Sequence, residues 1–258
     1  MKKLLLALSA LMALSLPVQA QRLQVAATAV PHAEILEFVK PVLAEQGVDL
    51  QIRVFTDYVQ PNTQVNEGRL DANFFQHQPY LTNFNESRGT QLVSVAGIHV
   101  EPFGAYSQRH ATLQELPNRA QVAIPNDATN GGRALLLLEA AGLITLDPSA
   151  GITASPRDVQ ENPKRLRFRE LEAATLPRIL GQVDLALINT NYALEAGLNP
   201  QEDALVMEGS DSPYVNILVA HQDRQDNPAL QKLIRALKTP ELRGFIEEQY
   251  QGAVVPAF

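Results

Sequence analysis

The sequence predicts an α/β protein that consists of two lobes with a cleft between them. Short apolar strands alternate with helices of about ten residues, which is the pattern of layered α/β proteins. This alternation runs from residue 23 to residue 100 and restarts at Gln121. With 258 residues, 45% apolar and 19% charged, the chain has the composition of a globular protein. Its length suits one large domain or two lobes of about 100–150 residues each.

The first run begins with a strand, Leu23–Thr28, followed by a helix from about Pro31. Apolar side chains recur in this helix at helical spacing, Pro31 suits its first turn, and Gly47 suits its C-terminal cap. Pro41 lies inside it and should kink or split the helix. The other expected elements are strands at Asp49–Phe55, Leu70–Phe75 and Gln91–Val100, and helices at Pro61–Glu67 and from Pro79 to about Gly89.

The second run has the same alternation and ends in two helices. Its most regular helix is the leucine-rich segment Gly131–Ala141, which Gly142 caps. The remaining expected elements are strands at Gln121–Ile124, Leu166–Glu170, Val183–Ile188 and Tyr214–Ala220, and helices at Ala173–Leu180, Tyr192–Ala196 and from Pro228 and Pro240.

Residues 1–20 are typical of a cleaved signal peptide. Lys2 and Lys3 precede the leucine-rich run Leu4–Leu16, and small residues follow that suit cleavage after Ala20. The run is shorter than the roughly 20 apolar residues of a membrane span; an uncleaved N-terminal anchor is the alternative. Cleavage leaves 19 Lys and Arg residues against 28 acidic ones, a net charge of −9. An exported protein of this charge is not expected to bind nucleic acid.

The composition excludes several kinds of enzyme. The sequence has no cysteine, which rules out a disulfide framework, a thiolate nucleophile, a cysteine-bound zinc and an iron–sulfur cluster. Neither G-x-S-x-G nor H-E-x-x-H occurs, and the five histidines are scattered singly. We therefore expect no catalytic residue, no cofactor and no metal. His99, in an apolar strand, is interpreted as a hydrogen-bonded structural residue.

Two other classes of function stay open at this point. A secreted hydrolase that uses His77 together with an acid such as Asp57 is the alternative among enzymes. A metal-binding component of an importer is a third interpretation, and it requires clustered histidines and acids.

The turn between the strand Gln121–Ile124 and the following helix is a candidate anion site. Gly131 and Gly132 at a strand-to-helix turn would let backbone N–H groups face a bound anion. Arg133 then falls in the first helical turn, where a cation opposes the helix dipole unless a negative group faces it. A ligand carboxylate held by the guanidinium fork would remove that conflict. Pairing with a surface acid, Glu139 or Asp127, is the alternative.

Aromatic and amide side chains follow several predicted strand ends, where α/β proteins bind ligands. Tyr58 lies after the second strand, and Phe75 and His77 lie at the end of the third. Asn189 and Asn216 place amides at strand edges, where turn capping is their usual role but an amide can also bind either end of a zwitterion.

The sequence resembles the methionine-binding (MetQ/NlpA-type) substrate-binding proteins of ABC importers. The resemblance runs in order through the whole mature chain and rests on many long motifs rather than one short pattern. These motifs are Pro31–Leu36, Phe55–Asn62, Phe75–His77, His99–Pro102, Ile124–Asp127, Asn130–Leu135, Glu172–Ala174, Ile188–Ala193, Asp211–Asn216 and Gly252–Pro256.

This resemblance implies the two-lobed periplasmic-binding-protein fold, in which two crossing strands join the lobes and the amino acid is enclosed in the cleft. The crossings would be Val100–Tyr106 and Tyr214–Ala220. The first lobe would comprise residues 21–103 and 217–258, and the second lobe residues 104–216. The implied ligand-binding residues are Arg133 as carboxylate clamp, Asn189 and Asn216 at the amino-acid head, and Tyr58, Phe75 and His77 around the side chain. Asn191 is next to a binding motif but could equally be a helix cap.

The implied function is capture of methionine in the periplasm and its delivery by hinge closure to the permease and ATPase of an ABC importer. We expect a monomer that binds no nucleic acid. The alternative on the same scaffold is another small apolar amino acid or a short peptide. One departure is that many family members are lipoproteins anchored through a cysteine at the cleavage site, whereas Ala20–Gln21 stands there in this chain. The resemblance therefore leads us to expect a protein that is free in the periplasm.

Overall fold

The structure is a computed structural model that describes residues 20–209 and 212–258. The predicted signal peptide lies outside the described residues except for Ala20. Within the described part of the chain, no helix combines the length and the apolar character that crossing a bilayer requires.

The strands and helices follow the predicted alternation closely. The strands are β1 Gln21–Ala27, β2 Val48–Val54, β3 Ala72–His77, β4 Leu92–Val100, β5 Gly104–Tyr106, β6 Gln121–Pro125, β7 Thr145–Leu146, β8 Val159–Glu161, β9 Arg167–Leu171, β10 Leu185–Ile188, β11 Ala204–Met207, β12 Val215–His221 and β13 Val255–Pro256. The α-helices are α1 Glu34–Glu45, α2 Gln60–Asn66, α3 Gln78–Arg88, α4 Ala128–Ala140, α5 Thr190–Glu195, α6 Pro200–Asp203, α7 Pro228–Ala236 and α8 Pro240–Tyr250. The segment Ala173–Leu180, expected as a helix, lies in a run of 3₁₀ turns that spans Ala173–Gln182.

Two separate sheets define two lobes. The first sheet has the order β13-β4-β12-β3-β1-β2, with β1 parallel to both neighbours and β12 antiparallel to β3 and β4. The second has the order β11-β5-β10-β6-β9, with β6 parallel to both neighbours and β5 antiparallel to β10 and β11. We call the unit around the first sheet the first lobe and the other the second lobe. The predicted two-lobed α/β fold is confirmed.

The chain crosses between the lobes twice. The first crossing is residues 101–103, between β4 and β5, within the predicted range. The second lies between β11, which ends at Met207, and β12, which starts at Val215, whereas Tyr214–Ala220 is the predicted range. Residues 210 and 211 of this segment lie outside the described residues. The apolar run that starts at Val215 pairs with both β3 and β4, so it completes the first sheet instead of spanning the gap. The predicted boundary at residue 216 therefore falls inside β12, although the exact division into lobes stays a prediction.

Each sheet mixes parallel and antiparallel pairs and is covered by apolar side chains on both faces, as expected when both faces are packed against other elements. In β1 the alternation of side chains sends Leu23, Val25 and Ala27 to the face covered by α1, α7 and α8. Ala26 faces the other way, towards the core beneath α2 and α3. The C-terminal helices α7 and α8 thus belong to the first lobe.

Helix α1 continues through Pro41 instead of splitting there. Pro41 cannot donate to the carbonyl of Glu37, and both residues are exposed, so water can bind that carbonyl instead.

Candidate ligand-binding site

A small cavity lies between the two lobes, near both crossings. All six predicted site residues line it: Tyr58, Phe75, His77, Arg133, Asn189 and Asn216. The structure adds six that the sequence prediction did not include as site residues: Gln76, Tyr80, Glu101, Asn130, Thr190 and Asn191.

The strand topology brings these side chains to one place. His77 ends β3 of the first lobe, and Asn189 follows the end of β10 in the second. Because β12 runs antiparallel to β3, Asn216 near its start lies opposite His77. The carboxyl ends of strands from both sheets thus face each other across the cavity, the usual ligand position in α/β proteins.

Arg133 is buried, and its environment differs from both predictions, which were a guanidinium that holds a ligand carboxylate and a guanidinium paired with Glu139 or Asp127. Helix α4 begins at Ala128, three residues earlier than expected, because the Asp127 side chain caps it by accepting from the Asn130 backbone N–H. The guanidinium is therefore in the second helical turn. Its partner is neither Glu139 nor Asp127: Nε and Nη2 donate to Glu208 at 2.8 and 2.6 Å. Glu208 therefore occupies the guanidinium fork that was expected to hold a ligand carboxylate.

The two glycines of α4 serve close packing and not an anion-binding turn. A Cβ at Gly132 would lie 2.3 Å from the carbonyl oxygen of Ile152, and one at Gly131 would lie 2.9 Å from the oxygen of Pro125. The helix can approach the strand end and the facing loop this closely only without side chains at these positions.

A hydrogen-bond relay sets the donor and acceptor roles of the amides. The Asp127 carboxylate, which can only accept, receives both contacts of Asn130 Nδ2, at 3.0 and 3.1 Å. Asn130 Oδ1 must then be an acceptor, and it receives Asn189 Nδ2 at 2.8 Å and His77 Nε2 at 3.1 Å. The remaining atom of this amide, the acceptor Asn189 Oδ1, has no hydrogen-bond partner within the described part of the chain. His77 Nδ1 accepts from the Tyr80 backbone N–H, so the ring is neutral with its proton on Nε2.

Burial keeps the imidazole of His77 neutral. Desolvation, followed by the positive charge of Arg133, lowers the pKa of His77 to about 3. The bond from His77 to Asn130 also joins the first lobe to helix α4 of the second. His77 therefore serves as a neutral donor between the lobes.

Two buried polar atoms that lack a hydrogen-bond partner among the described residues belong to cavity-lining amides. They are Asn189 Oδ1, an acceptor, and Asn191 Nδ2, a donor. The second role follows because Asn191 Oδ1 accepts from the Tyr58 hydroxyl at 2.6 Å. Each unpaired buried group costs about 1–3 kcal/mol. A ligand that accepts at one point and donates at the other would remove both costs.

Glu101, in the first crossing, holds a buried network beside the cavity. Its Oε1 lies 2.8 Å from His99 Nε2 and 3.2 Å from His32 Nε2, and its Oε2 accepts from the Asn191 backbone N–H at 3.1 Å. His32 Nε2 also contacts Asn216 Oδ1 at 3.0 Å, which turns the Asn216 Nδ2 donor away from the ring. The prediction that His99 is a hydrogen-bonded structural histidine is confirmed.

The histidines of this network are neutral. Burial lowers the pKa of His99 to about 3, and that of His32 to about 4 against the opposing charge of Glu101. Burial also raises the pKa of Glu101. These three side chains are the group among the described residues that is close enough to share a metal ion. Their nitrogen–oxygen separations are those of direct hydrogen bonds.

Aromatic rings form one wall of the cavity. The Tyr58 ring centroid lies 5.8 Å from that of Phe75 and 5.9 Å from that of Tyr80. Across the cleft, the Tyr58 ring lies 5.0 Å from the ring of Tyr192 in the second lobe. Such a wall suits a flexible apolar or thioether group.

Direct bonds hold the lobes together in a closed arrangement. The Tyr58 hydroxyl of the first lobe donates to Asn191 of the second. In the reverse direction, the Tyr192 hydroxyl donates to the Thr56 carbonyl at 3.0 Å. Tyr192 does not line the inner cavity, so this second bond belongs to closure alone.

Two α/β lobes, two crossings and an enclosed polar cavity between them define a solute-binding protein of the two-lobed class. The model of the NlpA lipoprotein family matches residues 23–258. The chain belongs to this family.

Individual relatives agree with that assignment. A protein of Pasteurella multocida named "Probable D-methionine-binding lipoprotein MetQ" is 40% identical over 237 residues, which are 92% of this chain and 86% of the relative. A nutrient binding protein from Burkholderia cenocepacia, solved bound to methionine, is 43% identical with a TM-score of 0.89 and covers 92% of this chain and 100% of its own. A periplasmic substrate-binding protein of an ABC transporter from Coxiella burnetii is 42% identical with a TM-score of 0.87, at 91% and 100% coverage.

Proposed function

We propose that the protein captures methionine in the periplasm and delivers it to the permease and ATPase of an ABC importer. The observation that carries this proposal is the pair of unsatisfied buried amide atoms in the inter-lobe cavity, Asn189 Oδ1 and Asn191 Nδ2. A free amino acid provides the complement, because its ammonium donates and its carboxylate accepts. The methionine bound in the Burkholderia cenocepacia relative and the name of the Pasteurella multocida relative support methionine in particular.

The donor and acceptor roles suggest how the head group is oriented. The carboxylate binds Asn191 Nδ2 together with the Nη1 group of Arg133, since Nε and Nη2 are engaged by Glu208. The ammonium binds Asn189 Oδ1 near the carboxylate of Glu101. Asn216 binds the head through Nδ2, because its Oδ1 accepts from His32. Asn191 is thereby proposed as a ligand-binding residue in addition to the six predicted ones.

The thioether packs against the aromatic wall. Tyr58, Phe75 and His77 surround the side chain, with Tyr80 beside them. A sulfur–aromatic contact contributes about 0.3–1.5 kcal/mol. The cavity is small and is lined by side chains of both lobes, which favours one amino acid over a longer peptide.

Hinge closure is the mechanism that this geometry supports. A charge-assisted hydrogen bond contributes about 1.5–3 kcal/mol and burial of the methionine side chain about 1.5–3 kcal/mol, whereas association costs about 4–15 kcal/mol. Contacts from one lobe do not exceed that cost by much, so tight binding requires both lobes around the ligand. The importer can then distinguish the closed, loaded form from the empty one.

The protein is proposed to bind without catalysis. The hydrolase alternative needs His77 next to an acid such as Asp57, but His77 bonds to Asn130 and Tyr80. Asp57 accepts from the backbone N–H groups of Val59 and Gln60 at the start of α2. Neither ring nitrogen of His77 is free to activate a nucleophile.

The mature protein is proposed to be free in the periplasm. The relatives' names include "lipoprotein", but the sequence of this chain has no cysteine to carry a thioether-linked lipid. Intact-mass measurement of the protein from the native envelope tests this: the expected mass is that of a chain starting at Gln21 without a lipid. A larger mass that fits an acylated or uncleaved chain would refute it.

Calorimetric titration tests the ligand. Purified protein should bind L-methionine, and we also expect binding of D-methionine; the matched controls are leucine and a methionine-containing dipeptide. Mass spectrometry of small molecules released on denaturation should find methionine in the preparation. If leucine or the dipeptide binds more tightly than either enantiomer of methionine, the ligand assignment is wrong. If none binds, the proposed function fails.

A further inference from the structure

Glu208 lies behind the arginine of the site, in the second crossing. It does not line the cavity, whereas Arg133 does. Its carboxylate accepts the two parallel bonds from the guanidinium and a third, at 3.2 Å, from the Phe103 backbone N–H. The side chain is 16% exposed, and that of Arg133 is 3% exposed. Glu208 thus places a carboxylate behind Arg133, outside the lining of the cavity.

The charges around the cavity do not favour an anion. Among the described residues, Arg133 is the one Lys or Arg side chain that lines it. The nearby histidines are neutral, since burial lowers the pKa of His77 to about 3 and that of His32 to about 4. Glu208 offsets the guanidinium charge, and Glu101 adds a second carboxyl group at the cavity wall. The site therefore has hydrogen-bond donors for a carboxylate but no net positive charge.

We propose that Glu208 is a specificity-determining residue that makes the site select a zwitterionic α-amino acid over the same acid without its amine. This inference rests on the proposed function and concerns the basis of its selectivity. A zwitterion brings no net charge into the cavity. An amine-free acid brings one uncompensated negative charge into a buried site that already holds acidic groups, and such burial is unfavourable.

Glu208 also orients Arg133, so a purely structural role has to be separated from the electrostatic one. Loss of orientation weakens every ligand with a carboxylate by a similar factor. Loss of the negative charge favours the anionic ligand relative to the zwitterion. The ratio of the dissociation constants for the anionic and the zwitterionic ligand therefore reports the effect of the Glu208 charge. The two constants themselves report the effect on the orientation of Arg133.

The test is a calorimetric comparison of L-methionine with 4-(methylsulfanyl)butanoate, which is methionine without its amine. The proteins are the wild type, Glu208→Gln, Glu208→Asp and the surface control Glu247→Gln, whose carboxylate pairs with Arg243 on an exposed part of the first lobe. We expect the wild type to prefer methionine by a hundredfold or more. Glu208→Gln should reduce this preference at least tenfold, whereas Glu208→Asp and Glu247→Gln should retain it.

Several results would overturn the inference. An unchanged preference in Glu208→Gln, with both affinities lowered equally, would mean that Glu208 only orients Arg133. A wild-type preference below tenfold would remove the selectivity that the inference explains. If Glu208→Gln does not fold, the double variant Arg133→Gln/Glu208→Gln is compared with Arg133→Gln, and an equal preference in the two again refutes it. If the wild type does not bind methionine, the proposed function itself is wrong, and the wild-type titration alone shows this before any variant is compared.

Discussion

Replacing Tyr192 by phenylalanine should weaken ligand binding although the side chain does not touch the cavity. Its hydroxyl donates to the Thr56 carbonyl of the other lobe at 3.0 Å, and the residue is 4% exposed. The bond can form only when the lobes are closed. A hydrogen bond of this kind contributes about 0.5–1.5 kcal/mol, so the dissociation constant for methionine should rise about 2- to 13-fold. The loss should appear as faster ligand release, because the closed form is the one that loses a contact.

Calorimetry for affinity and stopped-flow fluorescence for release check this prediction. The matched control is Tyr250→Phe, which removes a 2.6 Å bond to Glu34 inside the first lobe. That variant should lower the melting temperature and leave the affinity unchanged. If Tyr192→Phe binds and releases methionine like the wild type, or if Tyr250→Phe shows the same loss, the reasoning about closure is wrong.

Three further predictions concern the site and the stability of the fold. Arg133→Ala should reduce methionine affinity more than a substitution of any one aromatic residue of the cavity by alanine. An unchanged calorimetric titration would contradict the role of Arg133 as the carboxylate clamp. Gly132→Ala should lower the free energy of unfolding by about 1–3 kcal/mol, because its Cβ would lie 2.3 Å from a carbonyl oxygen, whereas Gly244→Ala, with open space at its Cβ, should be neutral or stabilising. Buried His77 and His99 have pKa values near 3, below the 6.5 of the unfolded chain, so stability should be full above pH 6.5 and fall as the pH drops towards 3. If the melting temperature does not fall between pH 7 and pH 5, the assignment of His77 and His99 as neutral in the folded protein is wrong.

The sequence was sufficient for the layers of the fold, because strand and helix alternation depends on local apolar spacing. The start of α4 was missed since the glycines suggested a turn, while the Asp127 cap, an Asp three residues before Asn130, was the usable signal for an earlier start. The second crossing was misplaced because the apolar run from Val215 suits a crossing strand and a central sheet strand equally well. Local pattern cannot say which neighbours a strand will pair with.

The six predicted site residues all line the cavity, but their hydrogen-bond partners were not foreseeable. Glu208 lies 75 positions along the chain from Arg133, and no spacing rule connects two residues brought together by a crossing. The roles of Asn130 and Asn191 depend on which amide atom faces another side chain, which only the folded arrangement determines. Resemblance predicted the six residues, which all line the cavity, whereas the donor and acceptor roles of their atoms follow from the folded arrangement.

The contact between the two crossings has a consequence for the order of events in capture. Phe103 and Glu208 exchange bonds with each other, Glu208 N–H to the Phe103 carbonyl at 2.9 Å and Phe103 N–H to the Glu208 carboxylate at 3.2 Å. We expect rotation of the lobes about this pair to keep the Arg133 guanidinium and the Glu208 carboxylate together when the cleft opens. We expect the second lobe of the open protein to present Arg133 already oriented for a carboxylate. An arriving amino acid would then bind this lobe first, and the first lobe with its aromatic wall would close over it.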